Sequence, residues 1–202
     1  MPNEVSPAAY SGRSMEYIGL LGSIGSDHPS DLETISSWAS DVHGDLNDAG
    51  CGPGHCTNSL TQQGPIARGI DQAREFIAHA TSAYPSADFA IGNLESIDAV
   101  TSSIGGVLPW FSLIHYEPRA IQIPLREFGR EIKPGGALFV GFFEGTKFEG
   151  FEHAVTPAYR WPVDTICTGL DRVDFDVLET HVRKTKGQRS HAAVSAQRRK
   201  TH

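Results

Sequence analysis

The amino-acid sequence predicts an α/β fold: a doubly wound, mostly parallel sheet with helices on both faces. Strand-like and helix-like apolar patterns alternate from residue 30 onward, as a sheet covered on both faces requires. Several of the strand-like runs lack polar alternation, so their two faces are both buried. A glycine-rich turn directly follows the first of them, at the position where such sheets bind ligands.

The chain has 202 residues, 39% apolar and 20% charged, and no apolar run long enough to span a bilayer. It reads as one domain over 1–202, with no membrane partner. Residues 1–29 are rich in Ser, Gly and Pro but carry Tyr10, Met15, Tyr17, Ile18, Leu20 and Leu21, and are expected to fold back over the body as a lid. Ser30 and Glu33 form a capping-box pattern, followed by Leu32, Ile35, Ala39 and Val42 at helical spacing as far as Gly44. Strands are expected at 45–49, 65–70, 87–91, 104–110 and 137–143. Ala73, Phe76, Ile77, Ala80 and Ala83 mark a helix closed by Pro85, and Leu125, Phe128 and Ile132 another closed by Pro134 and Gly135. A loop over 144–160 precedes a helix marked by Val163, Ile166, Cys167 and Leu170, so that 144–172 is expected to cap the substrate side. Strands at 174–182 and 192–198 close the chain as a hairpin.

Cys51, Cys56 and Cys167 are too few, and odd in number, for a disulfide framework, which suggests reduced thiols. No basic start with an apolar run and cleavage site stands at the N-terminus, so a cytoplasmic location is expected. Seven of the 17 Lys and Arg lie between Arg183 and Lys200, where no acid occurs, so residues 1–182 carry 10 basic against 24 acidic side chains, a balance of −14. That sign disfavours a polyphosphate-binding body, so no nucleic-acid partner is expected, and the basic end reads as solvated loop and edge.

The chemistry concentrates at Asp48, Ala49, Gly50, Cys51, Gly52, Pro53, Gly54 and His55. Three glycines at alternate positions let the backbone turn sharply and approach a ligand closely. About twenty residues on, Gly69, Ile70 and Asp71 end the second strand with a carboxylate that can accept from both hydroxyls of a ribose, which makes a nucleoside site. A dinucleotide fingerprint needs G-x-G-x-x-G and a helix terminus free for pyrophosphate. Here the spacing is G-x-G-x-G behind an acid, and Asp48 would repel pyrophosphate and suit an ammonium group. Cys51, His55 and Cys56 lack a second ligand pair at zinc spacing, so no metal is expected.

These residues resemble the class I S-adenosylmethionine-dependent methyltransferases. The glycine loop with its leading acid resembles that family's first motif, Asp71 its ribose-binding acid, and Gly92, Asn93 and Leu94 the adenine-contacting turn after the third strand. Trp110, Phe111, Ser112, Leu113, Ile114 and His115 resemble the segment lining the methyl and substrate side, and Ile132, Lys133, Pro134, Gly135 and Gly136 the turn into the fifth strand. The resemblance covers about 30–198 and implies a Rossmann-like, seven-stranded sheet with one antiparallel strand from the final hairpin. It implies S-adenosylmethionine as cofactor, S-adenosylhomocysteine as its product, and a small-molecule methyl acceptor. Gly50, Cys51 and Gly52 would press against the methionine part, with Asp48 near its amino group and His55, Ser112 and Trp110 around it. Asp71 would take the ribose, Gln72 would lie beside the adenine, and Asn93 and Leu94 would meet its edge. Where many relatives carry an acid early in the fourth strand, this chain has Gly105 and Gly106.

Methyl transfer by in-line displacement needs alignment more than acid–base chemistry, so a base is optional. His115 is the first candidate for one, and equally reads as a histidine hydrogen-bonded at a helix end. Trp110 and Phe111 fit either a strand-end core or a substrate wall. Glu144, Tyr159 and Arg160 are expected on the substrate side, although Arg160 could instead stack on Trp161. Tyr17, on the lid, could reach the cofactor carboxylate. Two other functions stay open at this level: a nicotinamide-dependent oxidoreductase, and a non-catalytic binder of S-adenosylmethionine. Neither the acceptor nor the oligomeric state is encoded in a motif.

Overall fold

Leu46, Asn47, Asp48 and Ala49 are buried at every position, the condition of a strand in the middle of a parallel sheet. In the computed structural model, which describes Ile18 and residues 28–153 and 157–200, they form β1 (Leu46–Ala49). Around it lie β2 (Ala67–Asp71), β3 (Asp88–Ile91), β4 (Ile104–Leu108), β5 (Ile132–Phe143), β8 (Phe175–Arg183) and β9 (His191–Arg198). The sheet has seven strands in the order β3-β2-β1-β4-β5-β9-β8, and the direction changes only at β9, antiparallel to both neighbours. Order turns back between β1 and β4, which opens a crevice at the carboxyl ends of those strands.

The helices are α1 (Pro29–Ser40), α2 (His55–Gln62), α3 (Arg74–Ala83), α4 (Gln122–Glu131) and α5 (Val163–Asp171). Side chains alternate across the sheet as the pleat dictates. Leu138, Val140 and Phe142 of β5 join Leu125 and Phe128 of α4 and Ile166 and Leu170 of α5 on one face. Phe139 and Ala193 join Ile35 and Trp38 of α1 and Leu60 of α2 on the other. No helix among the described residues is long and apolar enough to cross a membrane.

The structure differs from the sequence reading at several ends. The cap of α1 is His28, whose Nδ1 accepts from the Ser30 N–H at 3.3 Å, rather than Ser30. The helical pattern does not reach Ile132. Lys133, held before Pro134, is disfavoured in helical geometry, and Ile132 is already extended (φ −67°, ψ 137°) and paired with Ile104. β4 stops at Leu108, before Pro109. The expected loop over 144–160 contains a small ribbon, β6 (Glu149–Phe151) antiparallel to β7 (Ala158–Arg160). The basic C-terminal stretch is not simply solvated: Arg199 meets Asp171 and Asp176, and Arg183 meets Asp31. The expected lid, with Tyr17, lies outside the described residues.

Candidate active site

Gly50 (φ 81°) and Gly52 (φ 52°) both hold left-handed backbone, and so does Gly54. A Cβ on Gly50 would stand 2.2 Å from the Ser112 Cβ, so the loop packs directly on the segment after β4. A Cβ on Gly52 would meet nothing within 4 Å, which leaves open space over that backbone. The Gly52 N–H donates to Asp71 Oδ2 at 3.0 Å and the Ala73 N–H to Oδ1 at 2.8 Å, so the end of β2 braces the loop. Burial pushes the Asp71 carboxyl above the usual range despite these two donors. Asp48 is buried and accepts from Thr57 Oγ1 at 2.6 Å, which fastens β1 to α2.

A cavity of about 470 Å³ opens beside this loop. Asp48, Gly50, Cys51, Gly52 and His55 line it on the loop side, and Trp110 and Phe111 line it from the end of β4. The aromatic pair meets both the core and the cavity. Trp110 stacks on the core residue Phe139 at 5.7 Å and also faces the cavity. Phe111 sits at φ 54°, a conformation costly for a side-chain-bearing residue, and its N–H is fixed on Gly141 O at 3.0 Å. Ser112 Oγ is buried with no hydrogen-bond partner among the described residues.

Other sequence candidates fall elsewhere. Gln72 Nε2 donates to Asn93 Oδ1 at 3.4 Å, and the Glu95 N–H donates to the same oxygen at 2.9 Å, so that oxygen closes the turn after β3. Leu94 is buried in the core, and the Gly92 N–H donates to Asp71 O at 3.0 Å. These residues cluster at the ends of β2 and β3, next to the cavity but not among its lining. His115 donates through Nδ1 to Pro157 O at 2.8 Å, burial holds its pKa below the usual value, and it too lies outside the lining. Glu144 faces Lys184 at 3.9 Å, Tyr159 stacks on Phe148 at 4.6 Å, and Arg160 pairs with Glu149 at 2.9 Å. Arg160 lies over Phe151 at 5.0 Å rather than over Trp161. None of these three lines the cavity; from the expected cap, His153 does.

Three groups in the cavity wall, Asp31, Arg183 and His191, escaped the sequence reading. His153 meets His115 edge-on at 5.6 Å, and burial lowers its pKa to about 4. Asp31 accepts from Arg183 through two bonds, Nε to Oδ1 at 2.9 Å and Nη2 to Oδ2 at 2.6 Å, and Arg183 Nη2 also lies 2.7 Å from His191 Nδ1. These groups carry no local spacing signal, since Asp31 and Arg183 stand 152 positions apart.

Comparison with known proteins gives a match over part of the chain and a shared fold. Residues 47–136, from β1 through the turn before β5, match the family described as "Methyltransferase domain". Among curated proteins nothing matches the chain. Solved structures share its fold at low identity. Magnesium protoporphyrin IX methyltransferase from Synechocystis PCC 6803, with bound S-adenosylmethionine, aligns at TM-score 0.77 and 16% identity over 97% of this chain and 96% of that one. The 1,6-didemethyltoxoflavin-N1-methyltransferase of Burkholderia thailandensis aligns at 0.73 and 18% over 98% and 91%. An S-adenosylmethionine-dependent methyltransferase from Methanosarcina mazei aligns at 0.72 and 19% over 80% and 96%. The strand order and the glycine loop thus stand in a chain whose residues 47–136 are similar to a methyltransferase domain and whose fold is the Rossmann-like one of these solved methyltransferases.

Proposed function

We propose that the protein transfers a methyl group from S-adenosylmethionine to a small-molecule acceptor. The observation that carries the proposal is the left-handed glycine loop braced by Asp71, with open space over Gly52 and an aromatic-walled cavity beside it. The residues fit the cofactor: the orphaned Ser112 Oγ awaits a partner, and the space over Gly52 is open. Gly50, Cys51 and Gly52, with Asp48, His55, Ser112 and Trp110, would hold the methionine end. Asp71 would hold the ribose, and Gln72, Gly92, Asn93 and Leu94 the adenine, with the Asn93 side chain reoriented from its present turn. When bound, S-adenosylmethionine supplies an electrophilic methyl group on a sulfonium.

The chain's own contribution is alignment and exclusion of water. Trp110, Phe111 and Phe143 wall the acceptor side, and such positioning is worth up to roughly 7–11 kcal/mol for well-oriented reactants. His115 takes a supporting part, one ring behind the wall, where it orients His153. Residues 1–202 act as a single unit. Calorimetry with S-adenosylmethionine and S-adenosylhomocysteine is the test: both should bind with a 1:1 stoichiometry. Absence of heat with either, or a melting temperature raised by NAD or NADP instead, overturns the assignment.

A further inference from the structure

The polar wall of the cavity has a definite proton arrangement. Arg183 has donors only, so its 2.7 Å contact with His191 Nδ1 makes that nitrogen the acceptor. Asp31 stands 3.6 Å from the same nitrogen, too far to take a proton from it, and is already occupied by both arms of the guanidinium. With Nδ1 accepting, the hydrogen of the His191 imidazole stands on Nε2. The guanidinium, saturated by Asp31 and His191, is not available as a receptor for an acidic ligand. Around His191 the cavity is aromatic: Phe111 lies 4.7 Å and Phe143 5.3 Å from its ring. His153 adds a second imidazole whose buried Nδ1 has no partner among the described residues. An aromatic-walled pocket with a few convergent polar atoms is the usual make-up of a small-molecule site.

We infer that the acceptor is an uncharged aromatic molecule carrying a ring oxygen or nitrogen that accepts a hydrogen bond, and that the Nε2–H of His191 recognises it. Asp31 and Arg183 are positioning residues that fix the tautomer. This rests on the methyl-transfer reading, since it concerns the acceptor half of the same cavity.

The test uses the full chain saturated with S-adenosylhomocysteine and three probes: 4-quinolone and 7-hydroxycoumarin, which are planar with a ring carbonyl, and naphthalene, which is planar without one. At least one of the carbonyl probes should bind ten-fold or more tightly than naphthalene. His191→Phe should abolish that preference and leave S-adenosylhomocysteine affinity within two-fold, and His191→Gln, which keeps a donor, should restore part of it. Nitrogen-15 NMR at pH 7 should show His191 as the Nε2–H tautomer, shifting toward a mixture in Asp31→Asn. A protonated or Nδ1–H His191 overturns the inference. So does a carbonyl probe no tighter than naphthalene, or a preference that survives His191→Phe. Failure of S-adenosylhomocysteine itself to bind overturns the methyl-transfer reading instead, so the two failures are distinguishable.

Discussion

Asp71 serves two ends with one carboxylate: it braces the Gly52 N–H and stands where ribose hydroxyls would be taken. Asp71→Ala should lower S-adenosylhomocysteine affinity at least about 10-fold, the cost of losing a hydrogen bond to a charged group, as isothermal titration would read. Gly50→Ala faces both left-handed backbone and a Cβ 2.2 Å from Ser112. It should cost about 2–3 kcal/mol in urea denaturation, and adding Ser112→Gly should recover the overlap but not the backbone strain. Both residues were legible in the sequence because the signal is local: alternate glycines after a strand, and an acid ending the next strand. Phe111 shows the opposite case. Its left-handed φ depends on Gly141 O, thirty residues away in a different strand, and nothing in its own neighbourhood announces it.

At the level of elements, the alternation of apolar patterns placed all seven sheet strands, because burial on two faces leaves a composition that periodicity can detect. Ends were less legible, since they are set by single contacts. His28 rather than Ser30 caps α1, and the stop of α4 is fixed by the pairing of Ile132 with Ile104. The last residue of α4 has a consequence for pH. Glu131 is fully buried, accepts from Asn47 Nδ2 at 2.8 Å, and burial pushes its carboxyl up to about 7. The folded state then holds its proton more tightly than the unfolded chain, so stability falls as pH rises from about 4.5 to 7 and stays low above that. Over that window the shift is worth about 3 kcal/mol. Glu131→Gln should flatten the decline and stabilise the protein at pH 8, as chemical denaturation across pH would show.

For the whole molecule, the decisive contact is Asp31 with Arg183, which ties the first described helix to the final hairpin. Burial alone would raise the Asp31 carboxyl, but the Arg183 guanidinium bonded to both its oxygens holds it below the usual carboxylate range. The pair therefore contributes stability that is present above pH 4 and lost as acid protonates the carboxyl. Asp31→Asn should remove that acid-dependent component from a pH series of unfolding midpoints. The sequence carries the glycine loop and Asp71 legibly, but not the wall of Asp31, Arg183 and His191. The first is written in short motifs along β1 and β2, whereas the second is assembled from α1 and the last hairpin.

That long-range tie also orders the steps of folding. A chain emerging from the ribosome can form the glycine turn and its brace as soon as residue 73 is free, but Arg183 and His191 arrive more than a hundred residues later. Closing so large a loop is entropically slow. The glycine turn and its brace should exist well before the Asp31–Arg183–His191 wall of the cavity, which is completed by the last strands to arrive.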